Sequence, residues 1–159
     1  MVSLKANLLR VTPMSPGHAS EIASWKYEGP WAIYDGDGDD IITDEYWAVL
    51  SESGQLVGFY CTGDEARVSG LDAESGLLDV GIGMHPDLVG TGFGREFATA
   101  VMTHCRSHFQ ESRARAVVQA WNLRSLRLAE AMGFQPAGEH TIKQNRKPVT
   151  YTVLMLETA

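Results

Sequence analysis

Apolar and polar positions alternate along this chain with two periods, one typical of strands and the other of helices. Short apolar or alternating runs bounded by turn residues predict seven strands: LLRVTP (Leu8–Pro13), YWAVLS, QLVGFYCT, LLDVGIGM (Leu77–Met84), ARAVVQAW (Ala114–Trp121), QPAGEHTI and VTYTVLML. A short turn with Gly54 joins the second strand to the third, and KQNRKP joins the last two. Each of these pairs therefore predicts a β-hairpin.

Helical spacing marks three further segments. Phe97, Val101 and Cys105 belong to an apolar series that predicts a helix from Gly94 to about Phe109. The stretch NLRSLRLAEAMGF predicts a helix that begins at Asn122 and stops at Gly133. Ser15 or Ser20 is expected to cap a short helix toward Trp25. The resulting order, β-α-β-β-β-α-β-α-β-β, predicts a mixed sheet flanked by helices.

Length and composition favour one domain that spans residues 1–159. The chain is 44% hydrophobic, which suffices for one buried core but not for two. No apolar run approaches the roughly 20 residues of a membrane span, and the N-terminus lacks a secretory signal pattern. We therefore expect a cytoplasmic monomer or homodimer with no membrane partner, in which Cys61 and Cys105 are reduced core residues.

The charges divide the chain into an acidic and a basic half. Residues 1–90 carry four basic and fifteen acidic side chains, a net charge of −11. Residues 91–159 carry nine basic and five acidic side chains, a net charge of +4. The overall charge of −7 argues against a nucleic-acid partner. The partition indicates either two differently solvated faces or an anionic and a cationic ligand that meet between the halves.

Three glycines at alternate positions, Gly90, Gly92 and Gly94, stand between a predicted strand and a predicted helix in HPDLVGTGFGREF. Glycine tolerates positive φ and lets a ligand approach the bare backbone. Backbone N–H groups at the start of a helix form a cradle for an anion such as a pyrophosphate. The spacing matches neither the dinucleotide fingerprint GxGxxG nor a Walker A loop that ends in GK[ST].

The stretch VGIGMHPDLVGTGFGREFATAVM resembles the phosphate-binding region of the GNAT superfamily of N-acetyltransferases, and NLRSLRLAEAMGF resembles a later helix of that family. The resemblance implies an α/β (α+β) fold with a mixed, mostly antiparallel central sheet of about seven strands, in which strands 4 and 5 are splayed. It also implies acetyl-CoA as cosubstrate. The contacts that it implies for this cofactor are Ile82, Met84, Val89, Gly90, Thr91, Gly92, Phe93, Gly94, Arg95 and Asn122. We expect no metal, because no complete set of metal ligands stands out in the sequence.

The chain departs from the family pattern at two positions. Val89 replaces a usual Gln or Arg, which removes one side-chain phosphate donor but leaves the backbone amides. Ala129 stands where many members carry the tyrosine proposed as the acid for the leaving thiolate. A thiol with a pKa around 8.5 leaves without a strong acid, and Ser125, one helical turn earlier, is placed to donate a proton. This combination resembles the branch of ribosomal-protein N-terminal acetyltransferases.

Asp79, within LLDVGIGM, occupies a position where the family often carries a glutamate proposed as base. A carboxylate in an apolar strand is costly to bury unless it is paired. Asp79 is therefore either the base or amine anchor of the reaction, or an inward carboxylate with a structural partner. A β-bulge amide near Gly83 or Met84 is the expected donor to the thioester oxygen.

Aromatic residues cluster before an acidic loop, and they either form the wall of an acceptor pocket or cover the sheet. The resemblance favours the pocket, with Trp25, Tyr27, Trp31 and Tyr34 as substrate contacts. The acidic run DGDGDD lacks the glycine and the glutamate of a calcium loop, and His104 and His108 lack a third metal ligand. His85 precedes Pro86 and is expected to end its strand.

Two functions follow. The first is an N-acetyltransferase that moves an acetyl group from acetyl-CoA to a primary amine, on a small molecule or a peptide or protein N-terminus, by direct attack in a ternary complex. The charge partition favours a cationic or neutral amine. The second is a non-catalytic acyl-CoA-binding module, for which Val89 and Ala129 would be signs of lost activity.

Overall fold

The computed structural model of the chain describes residues 9–27, 29 and 44–157. Its strands are β1 (Arg10–Pro13), β2 (Tyr46–Leu50), β3 (Leu56–Thr62), β4 (Leu77–Met84), β5 (Arg113–Gln119), β6 (Gln135–Gln144) and β7 (Lys147–Glu157). Its α-helices are α1 (Pro16–Ala23), α2 (Gly94–His108) and α3 (Leu123–Ala131), and two short 3-10 helices lie at Gly63–Glu65 and Pro86–Leu88. The order of strands and α-helices confirms the predicted order.

The seven strands form one sheet in the order β1-β2-β3-β4-β5-β7-β6. β4 and β5 are parallel, whereas β5 pairs with β7, and β7 with β6, in antiparallel fashion. The expected mixed, mostly antiparallel sheet of about seven strands is thereby confirmed. The β4–β5 register runs from Leu77↔Arg113 to Asp79↔Arg115, and β4 then continues as far as Met84. The cofactor contacts proposed for β4, Ile82 and Met84, lie on this continuation.

Capping residues account for the ends of two helices. The Ser15 side chain accepts a hydrogen bond from the N–H of His18 at 3.2 Å, so Ser15 is the residue that caps α1. Asn122 caps α3 in the same way through the N–H of Ser125. Gly133 follows that helix with φ of 102°, a conformation that favours glycine and ends a helix.

The closing hairpin is longer than its sequence suggests. β6 and β7 extend into KQNRKP, and only Asn145 and Arg146 remain as the turn, with φ of 51° and 67°. Two central residues with positive φ are typical of the tight turn that matches the twist of paired strands. The six-residue connection predicted from the sequence is therefore too long, because an arginine at positive φ gives no compositional signal.

The chain divides into two compact units, Met1–Tyr60 with Ile82–Val101 and Cys61–Gly81 with Met102–Ala159. In the first unit Trp25, Ala48, Leu50 and Leu56 form a buried cluster. In the second unit the buried apolar residues include Met102, Cys105, Ala114, Phe134 and Leu154. Both cysteines are buried and neither is in a disulfide within the described part of the chain, in agreement with reduced core residues. No helix in the described part of the chain is long and apolar enough to cross a bilayer.

Candidate functional site

The end of β4 directs backbone groups of Met84 toward an edge that faces away from β3. The N–H of His85, the next residue, donates to the carbonyl of Val57 in β3 at 2.9 Å. Because successive residues of a strand direct their N–H and C=O groups to opposite edges, those of Met84 point to the other edge. That edge belongs to the part of β4 beyond its last register pair with β5.

The glycine loop, residues 89–95, follows β4 after the 3-10 helix at Pro86–Leu88. Gly90 and Gly92 adopt φ of 78° and 87°, and apart from its chain neighbours no atom of the described residues lies within 4 Å of where a Cβ would stand on either glycine. Thr91 folds the loop back, because its hydroxyl donates to the Leu88 carbonyl at 2.6 Å. The loop therefore exposes bare backbone to solvent at both glycines.

Helix α2 begins at Gly94, directly after the buried side chain of Phe93. The ring of Phe97 is fully buried against Gly58. A Cβ on Gly58 would lie only 2.4 Å from that ring, so the close contact requires glycine. The first intrahelical bond runs from the N–H of Phe97 to the Phe93 carbonyl. The N–H groups of the preceding turn have no intrahelical acceptor and carry the partial positive charge of the helix dipole. This arrangement suits a phosphate group.

Asp79 lies at the last β4–β5 register pair, opposite Arg115, and is only 2% exposed. Its Oδ1 accepts from Arg115 Nε at 2.7 Å. Its Oδ2 accepts from Arg67 Nε at 2.9 Å and from Arg115 Nη2 at 3.2 Å. Both carboxylate oxygens are thus engaged by guanidinium groups, which favours the structural partner over the base. Asp79, Arg67 and Arg115 are called the Asp79 cluster below.

The Asp79 cluster also holds the segment between β3 and β4. Arg115 Nη2 donates to the Asp72 carbonyl at 2.8 Å, and its Nη1 lies 3.5 Å from Glu74 Oε2. Arg67 pairs in addition with the exposed carboxylate of Asp64. Hydrogen bonds to Asp64 and then to Asp79 raise the pKa of Arg67 above its usual value. Sequence analysis missed both arginines, which lie 12 and 36 positions from Asp79.

The start of α3 brings together two of the predicted site residues. Asn122 is 2% exposed, and its side chain bonds twice to Ser125: Oδ1 accepts from the Ser125 N–H at 3.2 Å, and Nδ2 donates to Oγ at 3.0 Å. The Asn122 side chain therefore serves α3 as its cap. Ser125 Oγ acts as an acceptor in this pair, so its own proton remains available. Ala129 is buried on the same helix.

Four aromatic residues are predicted to contact the acceptor amine. Two of them, Trp31 and Tyr34, lie outside the described residues. Trp25 is 5% exposed, and its ring centroid lies 6.2 Å from Phe59 and 4.9 Å from His85. Tyr27 packs against the buried apolar cluster that contains Trp25, and its hydroxyl donates to the Met84 carbonyl at 2.8 Å. Sequence analysis missed Phe59, because nothing in the strand pattern distinguishes it from a core residue.

Within residues 9–27, 29 and 44–157, no group of three or more His, Cys, Asp or Glu side chains could hold a metal ion. The rings of His104 and His108 stack at 5.2 Å. Burial, and then the neighbouring His108, lower the pKa of His104. His85 follows the end of β4, and its Nδ1 accepts from the N–H of Asp87 at 3.1 Å.

Most of the chain matches a known protein family. A family model described as an acetyltransferase (GNAT) domain matches residues 9–135. The chain belongs to the GNAT acetyltransferase family. This agrees with the resemblance found in the glycine loop and in α3.

Relatives of this GNAT domain include an enzyme and several solved structures. Mycothiol acetyltransferase from Thermobispora bispora is 37% identical over 86 residues, which cover 54% of this chain and 28% of that enzyme. An acetyltransferase of the GNAT family from Bacillus anthracis is 15% identical with a TM-score of 0.76, over 98% of both chains. The yncA protein of Salmonella typhimurium, with its cofactor acetyl-CoA, is 15% identical with a TM-score of 0.68, over 96% of this chain and 95% of its own. These structural likenesses show the fold.

The glycine loop of this GNAT domain fits the phosphates of a coenzyme A cofactor. Space is open above Gly90 and Gly92, whose positive φ suits glycine. The first turn of α2 adds N–H groups that need an acceptor. Val89 offers no side-chain donor, so the backbone would supply the phosphate contacts.

Proposed function

We propose that the protein is an N-acetyltransferase that uses acetyl-CoA and transfers the acetyl group to a primary amine by direct attack in a ternary complex. The observation that carries this proposal is the glycine loop, in which two exposed glycines at positive φ precede the unpaired first turn of α2. Membership in the GNAT family supports the donor and the reaction class.

Acetyl-CoA, when bound, supplies an activated acetyl group as a thioester. The backbone of the glycine loop, from Val89 to Arg95, would hold its phosphates. The edge of β4 at Ile82 and Met84 would hold its pantetheine arm, and Asn122 remains a further proposed contact. Because the Met84 N–H points to that edge whereas the Gly83 N–H points to β3, we assign Met84 as the donor to the thioester oxygen.

We assign proton transfer to water and to Ser125, and not to Asp79. Both oxygens of Asp79 already accept hydrogen bonds from arginines, so we assign it the structural role. The amine, whose ammonium form first loses a proton to water, forms the new C–N bond, and the nitrogen then releases a second proton to water as the amide forms. The C–S bond breaks, and coenzyme A leaves as a thiolate with a pKa near 8.5. Ser125 is the proposed donor of a proton to that thiolate, and its hydroxyl takes a proton from water in turn.

The acceptor that we propose is a cationic or neutral amine. Residues 1–90, which contain the proposed acceptor contacts, carry a net charge of −11. A field of that sign attracts cations and repels acidic amines. Peptide N-termini, polyamines and aminosugars are the classes that fit.

The alternative, an acyl-CoA-binding module without catalysis, is distinguished by turnover. The protein is incubated with acetyl-CoA and a panel of amines, and released coenzyme A is measured with a thiol reagent. The protein's own thiols will not interfere, because both are buried and burial raises the pKa of Cys105 to about 11. Thiol release that depends on an amine supports the enzyme, whereas tight binding without turnover supports the module.

A further inference from the structure

The Tyr27 hydroxyl occupies a backbone group that the proposed function assigns to the cofactor. It donates to the Met84 carbonyl at 2.8 Å, across 57 positions of sequence. That carbonyl points to the edge of β4 along which the pantetheine arm would pair. An amide N–H of the arm and the Tyr27 hydroxyl therefore need the same acceptor. A carbonyl oxygen has two lone pairs, but the Tyr27 hydroxyl already stands 2.8 Å from this one.

Packing holds Tyr27 in this position. The ring of Phe59 lies against the backbone of Gly83, where a Cβ would come within 2.3 Å of it. Phe59 and Tyr27 both pack against the buried cluster that contains Trp25. Tyr27 is thus fixed beside the end of β4 by apolar contacts as well as by its hydroxyl.

The same segment contains a buried polar group without a partner. Trp25 Nε1 is buried, and no hydrogen-bond acceptor is found for it among the described residues. A buried N–H without an acceptor costs free energy. A shift of this segment that gives the indole an acceptor would recover that cost.

We infer that Tyr27 is a positioning residue that holds the Met84 carbonyl in the cofactor-free protein and yields it to the pantetheine arm. The inference rests on the proposed function. Its consequence is that binding of the pantetheine arm breaks the hydrogen bond between Tyr27 and the Met84 carbonyl.

The test compares two ligands by calorimetric titration of wild type, Tyr27→Phe and Tyr151→Phe. Coenzyme A has the pantetheine arm, whereas adenosine 3′,5′-bisphosphate carries nucleotide phosphates without it. Tyr27→Phe should bind coenzyme A about 2- to 10-fold more tightly, because one competing hydrogen bond is lost, and should bind the bisphosphate as wild type does. Tyr151→Phe removes a hydroxyl that is bonded to Gln144, and should change neither affinity.

Each outcome has one meaning. Unchanged or weaker binding of coenzyme A by Tyr27→Phe, or equal gains for both ligands, would overturn the inference alone. Failure of wild type to bind coenzyme A would overturn the proposed function and this inference with it. Tyr27→Leu, which removes the ring as well as the hydroxyl, is a second variant and should also bind coenzyme A more tightly.

Discussion

The glycine loop and the Asp79 cluster are close in sequence but differ in what they leave for a ligand. Gly90 and Gly92 are exposed, with open space above their backbones. Asp79 is 2% exposed, and each of its oxygens accepts from an arginine. The loop presents backbone donors to solvent, whereas both carboxylate oxygens of Asp79 are already bonded to arginines.

This difference separates two kinds of polar site. A backbone site is formed by glycines and a helix start that are adjacent in sequence. Its ability to bind an anion is therefore determined by neighbouring residues alone. A side-chain site depends on partners from elsewhere, and the two arginines that pair with Asp79 favour a structural role for it over that of a base. The loop should therefore govern ligand affinity, whereas the cluster should govern stability.

The largest effect is expected from Asp79→Asn. The substitution removes the buried counter-ion of Arg115 and leaves it only the half-exposed carboxylate of Glu74, and breaking a buried pair typically costs about 3–5 kcal/mol. The free energy of unfolding should fall by about that amount in a urea titration, while the shape of the pH–rate profile stays the same. Little loss of stability combined with a shifted pH–rate profile would show that Asp79 is the base after all.

Asp64→Asn is the matched control for this variant. Asp64 is also a carboxylate paired with Arg67, but its side chain is 83% exposed. Exposed ion pairs contribute little to stability. The control should therefore unfold at nearly the wild-type urea concentration.

The next effect is expected from Gly92→Asp, which places a side chain and a negative charge in the phosphate cradle. Affinity for coenzyme A should fall about 100-fold, which corresponds to about 2.7 kcal/mol. Gly54→Asp is the matched control, because Gly54 has φ of 86° and the same open space but lies in the β2–β3 turn. Equal losses in the two variants would mean that backbone strain, and not the cradle, is responsible.

A smaller effect is expected from Ser125→Ala. The leaving thiolate tolerates the absence of an acid, so kcat should fall only about 3- to 10-fold while the affinity for coenzyme A is kept. Ser107→Ala on α2, where the hydroxyl bonds only to the His104 carbonyl within the helix, should keep the wild-type kcat. If Ser125→Ala also keeps it, the thiolate takes its proton from water.

The smallest effect concerns salt. If the acceptor is cationic, kcat/KM should decline as salt rises from roughly 10 to 300 mM, over which the Debye length shrinks severalfold. The stability that the buried Asp79–Arg115 pair contributes should depend less on salt, since buried pairs are screened less. An anionic best substrate, or a rise of kcat/KM with salt, would reduce the charge partition to two solvated faces.

Sequence periodicity was sufficient to predict the order of the strands and α-helices. The limits of α3 could also be predicted, because Asn122 and Gly133 act on the backbone next to them. Periodicity was insufficient where distant side chains meet. The pairing of Asp79 with Arg115 follows from the parallel register of β4 and β5. The bond from Tyr27 to Met84 likewise depends on how a loop packs against a strand, which no local pattern encodes.

Amide hydrogen exchange with and without coenzyme A tests the contrast between the open loop and the closed cluster most directly. The N–H groups of Gly92–Glu96 should exchange rapidly in the free protein and slow markedly with saturating coenzyme A. Those of β5 around Arg115, already paired with β7, should exchange at the same rate in both states. Binding of coenzyme A without protection of the loop, or with protection confined to β5, would contradict the account.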